Sequence, residues 1–244
     1  MHSAAHVHLQ PSSLPITLAL AGIAVVYLCV WRRLPAFRAA AFLGGVCVVW
    51  LAIASPLAAL DHELLTIHMV KHLLLMAIAS PLILLGVPAR RPMQSLNRTA
   101  LCWLAGTAAV IGWHVPAAFQ LALGSHWWHT VENATFLLAG LLFWWPVVQS
   151  RPSLGQAWSM PLYLFLATLP CDILSAFLAF CGRVVYPSYL AAPRLFDLSP
   201  LEDQEFAGAL MWVSVTLIYL IPAVIITVQI LSPGVQAESE AVKI

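Results

Sequence analysis

Charged residues are scarce in this chain. Asp, Glu, Lys and Arg together make up 9% of its 244 residues, whereas hydrophobic residues make up 61%. A soluble domain typically carries about 25% charged residues, so the composition predicts an integral membrane protein rather than a soluble one. The formal net charge of +1 also lacks the basic surplus of a nucleic-acid-binding domain, which argues against a nucleic-acid partner.

Two further absences narrow the class of protein. The five cysteines include no Cys-x-x-Cys pair, so a zinc finger or a thioredoxin-like site has no support. The first 31 residues contain neither Lys nor Arg, so the basic segment that opens a cleavable signal peptide is missing. The first apolar run is instead followed by Arg32, Arg33 and Arg38, and it is predicted to be a transmembrane helix.

Apolar runs long enough to cross a bilayer fill most of the chain. A helix of about 20 apolar residues spans the hydrocarbon core, and the runs lack the alternation of membrane barrel strands. The sequence therefore predicts an all-α, polytopic membrane helix bundle of about seven transmembrane helices over residues 14–231, with no second domain. The predicted spans are 14–31, 39–57, 64–86, 99–116, 129–149, 158–181 and 204–231.

The positions of the basic residues predict the orientation. Cytoplasmic loops carry an excess of Lys and Arg, and eight of these residues share one side of the predicted topology against two on the other. We therefore expect the N-terminus outside and the C-terminus inside the membrane, with an outer His-containing tail at 1–13 and an inner polar tail at 232–244. The eight are Arg32, Arg33, Arg38, Arg90, Arg91, Arg98, Arg151 and Lys243, and the two are Arg183 and Arg194.

All nine histidines map to the outer side of this topology. Such a one-sided set predicts a metal site near the outer surface, with some histidines as ligands and others capturing metal at the periphery. The peripheral group comprises His2, His6, His8, His62 and His126. The tail histidines are alternatively part of a disordered segment without a function.

The third predicted helix holds the densest set of metal ligands. At about 100° per residue, His72 lies about 40° from His68, Met76 about 80° and Met69 about 100°, so two imidazoles and two thioethers share one quarter of the helix surface. This ligand set suits copper, above all Cu(I), and we expect His68 and His72 to be its centre. Alternatively, the two histidines are buried and hydrogen-bonded to neighbours, and the methionines fill the core.

Other helices bring polar groups to a similar depth. His114 and His129 are predicted as further metal ligands. Carboxylates at this depth usually pair with a cation or orient a ligating histidine, so four more residues are expected beside the ligands: Glu132, Asp172, Asp203 and Lys71. Two structural alternatives remain, because Asp172 is a plausible ion-pair partner for Lys71, and Asp203 is placed to cap the seventh helix.

Five short segments occur in order over residues 50–225: His72-Leu-Leu-Leu-Met76, Ser80-Pro-Leu-Ile-Leu-Leu-Gly-Val-Pro88, Trp113-His-Val-Pro116, Phe143-Trp-Trp-Pro146, and Asp203-Gln204 with Gly208-Ala-Leu-Met-Trp212. Together they resemble the multi-spanning CtaG family of cytochrome c oxidase assembly factors. The resemblance implies a seven-helix protein in the inner (cytoplasmic) membrane of a bacterium, which a haem–copper oxidase needs, through its copper, and it implies no catalytic activity. One departure is Asn133, where the family tends to have a histidine after the glutamate that opens the fifth helix.

The predicted function is an assembly factor that binds copper at the outer side of the bilayer and delivers it to oxidase subunits, with other copper chaperones as further partners. A copper transporter would need a trail of ligands to the inner face, where the candidates are Met93, Cys102 and Met160. A b-type haem protein would use His72 opposite His114 or His129 as axial ligands. A membrane enzyme ranks last, because no nucleophile–base motif is present.

Overall fold

The computed structural model describes residues 13–88, 96–149, 158–193 and 196–232. These residues form helices and connecting loops, and no strand occurs among them. The prediction of an all-α, multi-pass membrane bundle is confirmed. The predicted tails, 1–13 and 232–244, lie outside the described residues apart from Ser13 and Ser232.

Nine α-helices form the described part of the chain. A π-helical segment, Leu74–Ala79, joins α3 to α4 without a break, and short 3₁₀ helices occupy Pro56–His62 and Pro187–Leu190. The α-helices are α1 (Ser13–Val30), α2 (Ala36–Ile53), α3 (Leu65–Leu73), α4 (Ser80–Gly86), α5 (Leu96–His114), α6 (Pro116–Gly124), α7 (His126–Gln149), α8 (Ser159–Phe180) and α9 (Pro200–Leu231).

Six of the seven predicted spans correspond to single helical segments. Helices α1, α2, α7, α8 and α9 and the continuous Leu65–Gly86 segment are each long and apolar enough to cross a membrane. The remaining prediction, 99–116, falls on the pair Asn97–His114 and Pro116–Gly124, which is bent by 75° and makes a seventh span if the pair crosses as one. Val115 has extended backbone angles directly before Pro116, because a proline disfavours helical geometry in the residue that precedes it.

The segment Leu65–Gly86 lies at the centre of the bundle. Within its most apolar stretch 56% of the residues are buried, against 6% in α1, which lies at the periphery. Around this central segment α2 and α7 pack against α4, α9 packs against α3, and α8 packs along α9. A buried position therefore explains how the central helix tolerates His68, Lys71 and His72, since ionisable side chains in a span face the protein interior rather than lipid.

Two glycines allow close packing of neighbouring helices. A Cβ atom on Gly140 of α7 would lie 2.8 Å from both the Cα and the carbonyl oxygen of Met76, in the π-helical segment. A Cβ atom on Gly208 of α9 would lie 2.7 Å from the backbone nitrogen of Ala179 in α8. Side chains larger than hydrogen at these positions would push the helices apart.

Asp203 does not cap the seventh span, which was one of the two roles predicted for it. Ser199 caps α9, in a capping box with Glu202. The Asp203 carboxylate accepts hydrogen bonds from the backbone nitrogens of Leu65 (2.6 Å) and Thr66 (3.1 Å), so it caps α3. The reason is the packing of α9 against the start of α3, where backbone N–H groups have no partner within their own helix.

Gln204, the neighbour of Asp203, ties α9 to the end of α8. Its amide nitrogen donates to the carbonyl oxygens of Leu178 (3.1 Å) and Arg183 (3.0 Å), and its amide oxygen accepts from the backbone nitrogen of Val185 (2.6 Å). Asp203 and Gln204 together hold α3 and α8 in fixed positions around the start of α9.

Candidate metal centre

The predicted site residues fall into two adjoining groups. We define the outer cluster as the charged and imidazole side chains near the loop that precedes α3. The donor cavity is a small space on the other side of His72. The outer cluster comprises Asp61, His62, His68, Lys71, His129 and Glu132, and the donor cavity carries the side chains of Met69, His72, Met76, His114, Cys171 and Met211.

Lys71 lies at the middle of the outer cluster. Its ammonium nitrogen is 2.6 Å from Asp61 Oδ2 and 2.6 Å from His129 Nε2, and it is 4.0 Å from Glu132 Oε2.

Asp172, the ion-pair partner that the sequence suggested for Lys71, lies on α8 and accepts a hydrogen bond from the hydroxyl of Thr216 at 3.2 Å. The predicted Asp172–Lys71 ion pair is therefore wrong, because Asp172 faces α9 whereas Lys71 extends towards the loop that carries Asp61.

The Glu132 carboxylate lies beside two histidines of the third span. His68 Nε2 lies 3.3 Å from Glu132 Oε1, and His72 Nε2 lies 3.4 Å from the same oxygen. The two imidazole centroids are 4.5 Å apart. Glu132 is fully buried and stands where it can orient the imidazoles, whereas neighbouring Asn133 does not line the donor cavity.

Asp61 is the member of the outer cluster that sequence analysis missed. Burial by itself raises the pKa of Asp61, but the hydrogen bond with His129 and the charge of Lys71 outweigh burial and hold that pKa well below its usual range. Burial is also the largest effect on His62, and it lowers the pKa of this half-buried imidazole despite the adjacent Asp61 carboxylate. A usable signal was present, because Lys71 inside a span needs a carboxylate, and Asp61 occupies the nearest loop.

Among the described residues, the predicted peripheral histidine His126 lies outside both groups. It is exposed at the start of α7, and its backbone carbonyl accepts from the hydroxyl of Thr130. The tail residues His2, His6 and His8 lie outside the described residues.

Two tyrosines in the loop between α8 and α9 fix the surroundings of the site, and sequence analysis did not single them out. The hydroxyl of Tyr189 donates to the carbonyl oxygen of Asp61 at 2.7 Å, and that of Tyr186 donates to the carbonyl oxygen of His114 at 2.9 Å. The Tyr186 ring stacks on Phe119 of α6 with centroids 3.9 Å apart. The loop thus covers the end of the bundle that carries the outer cluster.

The donor cavity has a volume of about 30 Å³, enough for a single ion or a single water molecule. Met69, His72 and Met76 enter it from the central span, and His114 enters from the end of α5. These four were predicted as ligands. Cys171 of α8 and Met211 of α9 also line the cavity, and sequence analysis did not assign them because nothing in their spacing relates them to the third helix.

His114 presents an unprotonated nitrogen to a methionine sulfur. Its Nδ1 lies 2.7 Å from the carbonyl oxygen of Val110, which only accepts, so Nδ1 carries the proton. In the neutral ring Nε2 then has a free lone pair, and it faces the Sδ atom of Met69 at 3.2 Å. Two acceptors at this distance share no hydrogen, but metal–ligand bonds of about 2.0–2.3 Å place two ligands of one ion roughly 3–4 Å apart.

His72 supplies further unused metal-binding capacity. It is buried, its Nδ1 has no hydrogen-bond partner, and its Nε2 has only the Glu132 oxygen at 3.4 Å, too far for a good hydrogen bond. Its ring stacks on Phe136, with centroids 3.8 Å apart, which fixes its position. A buried polar atom without a partner calls for an explanation such as a bound ion, and imidazole with thioether is a donor set that fits Cu(I).

Haem does not fit this cavity. Pockets that hold small organic ligands measure about 300–1,000 Å³, against about 30 Å³ here.

The candidates for a ligand trail to the inner face do not adjoin the donor cavity. Cys102 and Met160 do not line it, and Met93 lies outside the described residues.

Comparison with known proteins gives one family. A family model described as cytochrome c oxidase caa3 assembly factor (Caa3_CtaG) matches residues 24–232. That range contains every residue of the outer cluster and of the donor cavity. No curated protein and no solved structure matches the chain.

Proposed function

Since this chain belongs to the cytochrome c oxidase caa3 assembly factor family, we propose that it binds one Cu(I) ion in the donor cavity and transfers it to a subunit of a haem–copper oxidase. Copper is the cargo in this proposal, and the protein performs no catalytic step. The proposed setting is the inner membrane of a bacterium, with the donor cavity towards the outer side.

The observation that carries this proposal is the contact between His114 and Met69. Val110 fixes the proton on the far side of the His114 ring, and the remaining lone pair points at a thioether sulfur 3.2 Å away. Met76 and Met211 add two more thioethers to the same small cavity. Soft sulfur donors with imidazole favour Cu(I) over the harder divalent ions of the cell.

The position of His72 supports a route for transfer. His72 lines the cavity and also lies 3.4 Å from Glu132 in the outer cluster. It is therefore the side chain through which copper leaves the cavity towards the outer surface, by exchange of one ligand at a time with a donor of the oxidase. The buried carboxylate of Glu132 compensates the positive charge of the ion along this path.

The test in vitro is copper stoichiometry. The full chain, purified without a histidine tag or chelator and titrated anaerobically with Cu(I), should bind one ion. The paired substitution Met69→Leu with His114→Ala should abolish this binding. Met160→Leu removes a buried thioether outside the cavity and His126→Ala an exposed imidazole, and these controls should retain it. Full stoichiometry in the Met69/His114 variant would place the copper elsewhere.

The test in cells is the copper content of the oxidase. A strain that lacks this protein should assemble an oxidase with low activity and low copper, which added copper partly restores. The wild-type chain should restore both properties, whereas the Met69/His114 variant should not. Normal oxidase copper in the deletion strain would rule out delivery by this protein.

A further inference from the structure

The outer cluster has the composition of a divalent-metal site. The ligand atoms of His68, His129 and Glu132 all lie within 4.8 Å of one another, and Asp61 Oδ2 lies 2.9 Å from His129 Nε2. Two imidazoles and one carboxylate are a ligand set that Zn²⁺ commonly takes, and Asp61 adds a second carboxylate beside the shared His129. Asp61 Oδ1 and Glu132 Oε2 are buried and have no hydrogen-bond partner, so the cluster holds acceptors that its protein neighbours leave unused.

A cation already lies within this set. The Lys71 ammonium is 2.6 Å from one carboxylate, 2.6 Å from the shared imidazole nitrogen of His129, and 4.0 Å from the second carboxylate. Lys71 is 2% exposed, so its nitrogen cannot reach water without leaving these partners. A metal ion bound to His129 Nε2 would therefore compete with the ammonium for the same atom.

We propose that Lys71 is an internal cation that excludes divalent metals from a site otherwise formed by His68, His129 and Glu132. Repulsion between the ammonium and a divalent ion a few ångströms away is strong inside a protein. With this site closed to Zn²⁺, the donor cavity remains as an open metal site among the residues that the structure describes. This exclusion of Zn²⁺ by Lys71 goes beyond the proposed function. It can be tested independently of whether the donor cavity binds copper.

The experiment compares Zn²⁺ binding in two variants of the full chain, purified in detergent without a histidine tag. Lys71→Leu removes the charge and adds no metal ligand, and it should bind one additional Zn²⁺ ion, on the order of 100-fold or more tightly than the wild type at this site. Lys71→Arg keeps the positive charge, and it should bind no more Zn²⁺ than the wild type. Binding by the N-terminal histidines is the same in all three proteins and cancels in the comparison.

A second substitution locates the gained site. Glu132→Gln in the Lys71→Leu background removes a proposed ligand, and the additional Zn²⁺ ion should be lost. If the gain survives, the ion lies elsewhere and the proposal is wrong. Because a ligand that binds only the folded state stabilises it, Zn²⁺ should also raise the melting temperature of Lys71→Leu, and not that of Lys71→Arg.

A further variant covers the case in which Lys71→Leu does not fold. Asp61→Asn combined with Lys71→Leu removes one charge of each sign and leaves His68, His129 and Glu132 in place, so it should bind Zn²⁺ as well. Equal Zn²⁺ affinity in wild type and in this folded variant would overturn the proposal. Cu(I) titration of the same proteins reports separately on the donor cavity, because Zn²⁺ has little affinity for thioethers.

Discussion

Removal of the Asp203 carboxylate should weaken the bundle at the start of the central span. Asp203 accepts hydrogen bonds from the backbone nitrogens of Leu65 and Thr66 and from the hydroxyl of Thr66, at 2.6, 3.1 and 2.7 Å. It is buried, so water cannot replace it. Met69 follows one turn later, and the substitution therefore also bears on the donor cavity.

The magnitude follows from these contacts. Hydrogen bonds to a charged group contribute about 1.5–3 kcal/mol each, and they are not additive. The loss of a helix cap costs about 0.5–2 kcal/mol. We therefore expect Asp203→Ala to lower the free energy of unfolding by about 3–5 kcal/mol. Asp203→Asn keeps an accepting oxygen and loses the charge, so its effect should be about 1–2 kcal/mol.

The assay is equilibrium unfolding of the detergent-solubilised protein, with Glu205→Ala as the matched control. Glu205 is an exposed carboxylate two residues further along α9, and its removal should change the stability by less than about 0.5 kcal/mol. Equal stabilities of Asp203→Ala and Glu205→Ala would refute the argument that this carboxylate caps the central span.

Three further predictions concern packing, charge and topology. Gly140→Ala should destabilise the protein by about 1–3 kcal/mol because its Cβ would lie 2.8 Å from Met76 backbone atoms, whereas Gly112→Ala, with no atom within 4 Å of its Cβ, should be nearly neutral in the same unfolding assay. The pKa of Asp61 is lower in the folded protein than the value of about 3.9 expected in the unfolded chain, so its charge stabilises the fold above about pH 4 and this stabilisation is lost as the pH falls. The difference in melting temperature between the wild type and Asp61→Asn should therefore be full at neutral pH and shrink below about pH 4. Alkaline phosphatase fused at residue 240 should be inactive, and an active fusion would reverse the predicted orientation.

The hydrophobic pattern was sufficient to predict the transmembrane architecture. Long apolar runs have few ways to satisfy their backbone in lipid, so the span predicted at 64–86 coincides with Leu65–Gly86 to within a residue. Helix α6 was missed because its nine residues are too few to stand out as a span. Its path is set by the bend at Pro116 and by packing on α7.

The candidate site depended on tertiary contacts that no local pattern contains. Regular helix geometry placed His68, Met69, His72 and Met76 on one face, but the π-helical segment at Leu74–Ala79 changes the winding before Met76 is reached. His68 faces the outer cluster, while Met69 faces His114. Asp61 looked like an ordinary loop carboxylate, because its burial comes from α3, α7 and the loop after α8.

The most direct test of the central claim is X-ray absorption spectroscopy of the full chain loaded with one equivalent of Cu(I). Copper in the donor cavity should show sulfur together with nitrogen neighbours, since Met69, Met76 and Met211 share that space with His72 and His114. Met69→Leu should lower the sulfur contribution. A first shell of nitrogen and oxygen alone would place the copper in the outer cluster, beside His68, His129 and Glu132, and would contradict the account.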